Sequence, residues 1–347
     1  MDVVRLEDFE VLARAQMDGP AFDYYAGGAA DELTLGENIA AFQRRRLRPR
    51  VLVDVSSVAI NTQILGKLAS FPVGLAPAAL QRLAHDQGEV AAARAAADAG
   101  IIYALSTLSS CSVEEVGAAG GRLWFQLYVH KDRSVSRDLV QRAEAAGYEA
   151  IVLTVDLPVT GYRERELRGT FAVDPADYGN LRMPSMGDAT LAGVVAFLND
   201  QSLTWNDIAW VRSLSSLPLV IKGIMRGDDA RLAVEHGAAG LVVSNHGGRQ
   251  LDRTQASIDA LEEIVASVDG AAEVYLDGGV RRGADVAIAI ALGATAVFVG
   301  RPYLYALAAG GEEGVRKAID ILRAELLVTM ALLGAPAIGA LTRDMVI

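Results

Sequence analysis

The chain has 347 residues, 52% of them hydrophobic, and a formal net charge of −11. This supports a large core, offers no apolar run of the ~20 residues a membrane helix needs, and argues against nucleic acid, whose binders carry basic patches. The single cysteine, Cys111, excludes an internal disulfide and fits a reducing cytosol. The acidic start Asp2-Val-Val-Arg-Leu-Glu-Asp8 lacks the apolar segment of a signal peptide, so a cytoplasmic location is expected.

Residues 1–69 read as a helical lead-in. Val4–Ala15 has helical spacing, Gly19-Pro20 interrupts it, and Ala21-Phe-Asp-Tyr24-Tyr25 resumes before Gly27-Gly28. Residues 38–50 carry Arg44, Arg45, Arg46, Arg48 and Arg50, which reads as a solvated or subunit-facing surface. From residue 70 to 347, apolar strand-like runs alternate with Ala-rich helical segments. The expected strands are Phe71–Ala76, Ile101–Ser106, Leu123–Val129, Ala150–Asp156, Leu219–Lys222, Gly240–Ser244, Glu273–Asp277 and Ala296–Gly300. The expected helices between them are Asp86–Ala99, Val113–Ala118, Val135–Ala146, Trp205–Leu214, Asp228–His236, Ser257–Ser267 and Gly283–Leu292, with a last one over Gly314–Leu333. Gly100, Gly147, Gly237 and Gly293 fall where helix C-caps belong. Eight strands, each followed by a helix, specify an α/β protein, a (β/α)8 TIM barrel forming one domain over 1–347.

Polar residues gather at the C-terminal ends of those strands, where barrels place chemistry: Pro77, Ser106, Gln126 with Tyr128, Thr154 with Asp156, Lys222, Ser244 with His246, Asp277, and Gly300-Arg301. After Leu241-Val-Val243 comes Ser244-Asn-His246-Gly-Gly-Arg249 without a spacer. His246 can serve as a base near neutral pH, and Arg249 offers a fork of donors for a carboxylate or phosphate. Leu276-Asp277-Gly278-Gly279-Val-Arg281 and Gly300-Arg301-Pro302 end strands seven and eight, the usual phosphate site of barrels. Lys222 reads as a Schiff-base lysine, as a cation beside a cofactor ring, or as a strand-end lysine reaching solvent. Asp156 is the best placed partner for His246. Arg163 is a second clamp or part of a surface ion-pair run with Glu164, Arg165 and Glu166. Tyr24 and Tyr128 are phenols able to donate, or packed aromatics. His85, His130 and His236 have no evident role, Cys111 reads as a packed thiol, and no metal set is apparent.

These motifs, from Tyr24 to Met330 and above all Ser244–Asp252, resemble the FMN-dependent (S)-2-hydroxy acid oxidases and dehydrogenases, a family that includes glycolate oxidase, lactate oxidase and mandelate dehydrogenase. The resemblance implies FMN as cofactor and a hydroxy acid and O2 as substrates. It implies His246 as base with Asp156 as its partner, Arg163 and Arg249 as the carboxylate clamp, and Tyr24 and Tyr128 on the substrate. FMN would rest on Pro77, Ala78, Ala79, Ser106, Gln126, Thr154, Lys222 and Ser244, with its phosphate on Asp277, Gly279, Arg281, Gly300 and Arg301. A homotetramer is also implied. Three departures stand out. Ala78 and Leu80 replace a hydroxyl residue and a Met, which loosens one polar contact and leaves backbone contacts. Leu108 stands where glycolate oxidase-like members carry Trp, which enlarges the substrate pocket. The stretch between Arg163 and Trp205 is short for the family's mobile active-site loop. Within the family the look is closest to the 4-hydroxymandelate oxidases of antibiotic biosynthesis, implying an aryl substrate.

Overall fold

A computed structural model describes residues 2–169, 171–174, 177–181 and 190–347. Eight parallel strands close into a barrel in the order β3 (Val73–Leu75), β4 (Ile102–Ser106), β5 (Arg122–Leu127), β6 (Ala150–Thr154), β7 (Leu219–Ile224), β8 (Gly240–Val243), β9 (Glu273–Asp277) and β10 (Ala296–Val299), with β10 returning to β3. They are the eight expected strands, most trimmed by one or two residues at an end, with β5 starting one residue earlier and β7 running two residues further than expected. The surrounding helices are α4 (Gly88–Ala99), α5 (Val113–Gly117), α6 (Arg133–Ala145), α9 (Ile208–Arg212), α10 (Gly227–Glu235), α11 (Ser257–Val268), α12 (Gly283–Ala291) and α13 (Arg301–Leu333). Gly100, Gly147, Gly237 and Gly293 all adopt positive φ (66°, 84°, 80° and 104°), as the glycine caps require.

Several elements differ from expectation. The first helix, α1 (Asp8–Gln16), begins four residues later than its apolar spacing suggests, because Asp8 Oδ2 accepts from the N–H groups of Val4 and Arg5 and holds them in a turn. Gly19-Pro20 opens the next helix, α2 (Gly19–Ala26), since proline suits a first turn. The helix expected over Trp205–Leu214 is a 3-10 turn followed by α9. The last helix starts at Arg301 and is broken at Gly310 and Gly311. Elements without an anticipated counterpart include α3 (Leu33–Arg44), α7 (Glu164–Arg168), α8 (Leu191–Leu198), and a hairpin of β1 (Thr62–Ile64) with β2 (Lys67–Ala69). The basic run is mostly paired rather than free. Arg44 and Arg45 meet Asp259, and Arg50 meets Asp344.

The two faces of the strands separate cleanly, as a period of two requires. Residues such as Leu105, Phe125, Leu153, Ile221, Leu241 and Leu276 join the outer core beneath the helices. Ile102, Ala104, Trp124, Ala150, Val152, Val220, Val242, Tyr275, Ala296 and Phe298 form a separate inner cluster with Ile64 and Ala69 of the hairpin. Within it, Trp124 lies 5.4 Å from both Tyr275 and Phe298, ring centre to ring centre. Gly74 is the position that lets Phe298 in, since a Cβ there would stand 2.6 Å from its ring. Two residues further along each strand the same inward face becomes Ser106, Gln126, Thr154, Lys222, Ser244 and Asp277, which floors the open end.

Candidate active site

A cleft lies at the C-terminal end of the barrel. Its walls include every residue expected at the site except Asp156 and Ser244, which sit one layer behind. Lys222 is 5% exposed, so it does not reach solvent. Its Nζ donates to Ser244 Oγ (2.9 Å) and lies 3.3 Å from Asp277 Oδ2. Burial alone would lower the Lys222 pKa, but Asp277 and Asp156 outweigh it and hold the ammonium above its usual value. An amine held charged is a poor Schiff-base nucleophile, which favours the cationic reading of Lys222 over the Schiff-base one.

Asp156 lies two residues beyond β6. Its Oδ1 is 2.9 Å from His246 Nδ1. The approach depends on Gly223, where β7 shifts register and φ is +111°. A Cβ there would lie 2.7 Å from that of Asp156. Burial lowers the imidazole pKa below 6.5, with Lys222 and Arg163 pushing the same way and Asp156 pulling it up. His246 is therefore neutral at pH 7 with its outer nitrogen free to take a proton. Burial works against the Asp156 carboxylate, but His246 and Lys222 hold its pKa below the usual value.

Arg163 is buried, 6% exposed, and is no part of a surface run. Its Nε donates to Arg249 O (3.1 Å), so one clamp residue fixes the backbone of the other. Arg249 donates to the carbonyls of Tyr24 and Gly27 and lies over the Tyr24 ring at 5.0 Å. Phe171 stacks on that ring at 4.6 Å. Both guanidinium groups lie 3.3 Å from a single oxygen, Glu166 Oε1. Glu166 was not anticipated, although its place three residues after Arg163 in a helical stretch is a readable signal. Tyr24 and Tyr128 are buried, and burial raises both phenol pKa values, so both are neutral donors.

Among the described residues, the buried atoms Gln126 Nε2, Thr154 Oγ1 and Asp277 Oδ1 have no hydrogen-bond partner, and all three residues line the cleft. They fit the carbonyl and N–H edge of a flavin ring and the hydroxyls of its ribityl chain. Gly278 and Gly279 both have positive φ (91° and 89°). Arg281 beside them makes a single guanidinium hydrogen bond among the described residues, to Val280 O, leaving its other donors for a phosphate. Arg301 also stands in the cleft wall. Three of its five guanidinium N–H groups are engaged by the carbonyls of Tyr25, Gly247 and Gly27, while the side chain lines the cleft at the start of α13. The FMN implied by the motifs therefore fits the residues present. The Ala78 carbonyl accepts from Gln81 Nε2.

The His246 turn is carried by residues outside the motif. Asn38 of α3 and Asn245 exchange reciprocal side-chain hydrogen bonds of 2.9 and 2.8 Å. Asp252, the last residue of the motif, accepts from the N–H groups of Leu33 and Thr34 at the start of α3. Leu108 lines the cleft, together with the unanticipated Tyr25, Leu157, Thr160 and Val195. Cys111 is buried and its thiol pKa is pushed up to about 12 by burial, as suits a packed residue.

Comparison with known proteins agrees with this geometry. The profile of a family described as FMN-dependent dehydrogenase matches residues 13–347. The chain is 52% identical to an L-lactate oxidase of Nostoc sp., over 95% of this chain and 94% of that protein. It is 49% identical to glycolate oxidase 3 of Arabidopsis thaliana, over 99% and 95%. A crystal structure of a mandelate oxidase with (S)-4-hydroxymandelic acid superposes with a TM-score of 0.93 at 46% identity, covering 98% of each chain.

Proposed function

The chain belongs to the FMN-dependent dehydrogenase family and is a 2-hydroxy acid oxidase by its relatives, and we propose that it oxidises an (S)-2-hydroxy acid with an aryl group, mandelate or 4-hydroxymandelate, to the 2-oxo acid while O2 is reduced to H2O2. Bound FMN supplies the two-electron acceptor. Arg163 and Arg249 hold the substrate carboxylate, and Glu166 between them keeps the two like charges at a fixed separation. Tyr24 and Tyr128 donate to substrate oxygens. His246 takes the proton, and Asp156 orients the imidazole and stabilises its cation. Lys222 places a fixed cation where negative charge gathers. The residues act as one domain spanning 1–347.

The observation that carries the aryl reading is Leu108 in the cleft wall, a position where a smaller side chain than Trp leaves room for a ring. The likeness to mandelate oxidase supports it. An aliphatic substrate of the lactate or glycolate type is the second reading, favoured by the 52% identity to lactate oxidase. The family resemblance also supports a homotetramer, a cytoplasmic location and a place in peptide-antibiotic precursor synthesis. Anaerobic mixing with a panel of hydroxy acids, followed by air, tests the reading. Mandelates should bleach the flavin faster than lactate or glycolate, and air should restore it. Faster bleaching by lactate would replace the aryl assignment with the aliphatic one.

A further inference from the structure

Leu108 sits on the loop that joins β4 to α5, and that loop is gripped from two sides. From within the barrel shell, Glu89 of α4 accepts from the N–H groups of Ser110 and Cys111 with one oxygen each, and from Gln81 N. From outside the barrel, Asn180 reaches the residues flanking Leu108. Its Nδ2 donates to Ser109 Oγ (2.7 Å) and stands 3.3 Å from both Ser106 O and Thr107 O. Its Oδ1 accepts from Val113 N (2.8 Å), the first residue of α5. Gly179 N donates to Ser109 O, and a Cβ at Gly179 would stand 2.6 Å from Ser110 O, so the two backbones are in direct contact. Asn180 is 3% exposed, and its own carbonyl accepts from Arg142.

The amide orientation is thus fixed by opposite demands at its two ends. The nitrogen faces three oxygens and the oxygen faces a backbone N–H. No other polar side chain of the same size satisfies both. Thr107 extends the reach, since its Oγ1 donates to Gln126 O and accepts from Tyr128 N. Asn180 comes from the segment between the clamp helix α7 and α8, the same segment whose Phe171 covers the Tyr24 ring. That segment is fastened to the substrate side of the cleft at both places.

We propose that Asn180 is a positioning residue for substrate specificity, holding the Leu108 wall at the distance that an aryl side chain needs. The inference rests on the assignment of Leu108 to the substrate pocket. Without the amide, Ser109 Oγ, Ser106 O and Thr107 O lose the two N–H groups they share, Ser106 O keeps Ser109 N, and Val113 N loses its acceptor, so the loop relaxes into the cleft or away from it. A bulky substrate group feels that change, whereas a substrate with no side chain does not.

The test uses the FMN-loaded enzyme and the variants Asn180→Ala, Asn180→Asp and Ser109→Ala, which removes the 2.7 Å acceptor of Asn180 Nδ2 together with the Ser109 donor to Cys111 O. The expected result for Asn180→Ala is a rise of about 10-fold in KM for mandelate, from the loss of a buried hydrogen-bonding group, with kcat within about 2-fold. The dissociation constant of the oxo acid benzoylformate, read from the flavin absorbance, should rise in parallel. Values for glycolate and glyoxylate should stay within about 2-fold. Asn180→Asp, which turns a donor into an acceptor, should be at least as damaging, and Ser109→Ala should show a weaker form of the same pattern. Equal losses for mandelate and glycolate, or no loss for either, overturn the proposal. Amide exchange at residues 106–113 gives a reading that needs no turnover. It should quicken in Asn180→Ala, and unchanged protection also overturns the proposal. If no hydroxy acid bleaches the wild-type flavin, the functional reading fails, and exchange still decides whether Asn180 anchors the loop.

Discussion

His246 adopts a left-handed conformation (φ 58°) and is followed by Gly247 and Gly248 at φ 62° and 75°. Three such residues in succession are costly outside glycine and mark a turn held by its surroundings. The turn points the imidazole back toward Asp156, and its electrostatics give the first prediction. A general base must be neutral, and burial has lowered the His246 pKa. So kcat/KM is full above that lowered pKa and falls as pH drops through it. Asp156→Asn removes the one carboxylate pulling the pKa up. The acid limb should then move to still lower pH, while the plateau falls about 10²-fold or more as the imidazole loses its orienting partner. A limb that moves to higher pH would show that Asp156 does not stabilise the imidazolium. The clamp yields the second prediction. Arg249→Lys keeps the charge but loses the fork that now spans Tyr24 O, Gly27 O and Glu166, so kcat/KM should fall for every hydroxy acid alike. Loss confined to one acid would make Arg249 a reader of the side chain. The third concerns Leu108. Leu108→Trp forces bulk into a fitted pocket at a cost of about 1–3 kcal/mol, or ~5 to 150-fold in kcat/KM for mandelate, with glycolate spared. Equal losses would limit Leu108 to supporting the flavin loop, which its carbonyl already does through Leu80 N.

The elements legible in the sequence are those with strong periodicity: the eight buried strands and the Ala-rich helices closed by glycine. Those missed lack it. The α3 helix contains Gly36, begins after a left-handed Glu32 and is capped from residue 252, so nothing local announces its start. The hairpin strands are three residues each, and only Ile64 and Ala69 are buried. Yet α3 carries the partner of the His246 turn, which gives a prediction at this scale. Asn38→Ala removes both reciprocal hydrogen bonds to Asn245 and the acceptor of Ser257 N. Leaving those buried groups unpaired costs about 1–3 kcal/mol, measurable by denaturant unfolding of the holoenzyme. The flavin reduction rate should fall with it, because Asn245 Oδ1 also holds Gly248 N. Full stability with a slow enzyme would mean that the pair serves the turn alone.

At the scale of the whole molecule, a single alternation explains why the site was readable. Inward positions are apolar in the lower barrel and polar only at the last inward residue of most strands, so the polar strand ends of the sequence are the floor of the cleft. What the strands do not carry was harder to see, because Asn38 and Asn180 act only through contacts between segments far apart in sequence, and Glu166 joins its neighbour Arg163 to an Arg249 more than 80 residues on. The global charge raises a last question of balance. The protein carries −11, yet the proposed hydroxy acid substrate is an anion, to be met in the proposal by Arg163 and Arg249. The two effects differ in range. The clamp acts over a few ångströms inside a low-dielectric cleft, whereas the overall field acts across the surface and is cut off beyond a Debye length of ~10 Å at 0.1 M salt. Raising ionic strength from about 0.01 to 0.15 M should therefore remove repulsion first and increase kcat/KM for mandelate by about 2- to 3-fold. Above about 0.3 M the clamp itself is screened and kcat/KM should decline. Mandelamide, which has no charge, should show a flat profile over the same range. A steady fall from the lowest salt for mandelate would mean that the local cations govern approach as well as binding, and that the acidic surface does not face the mouth of the barrel.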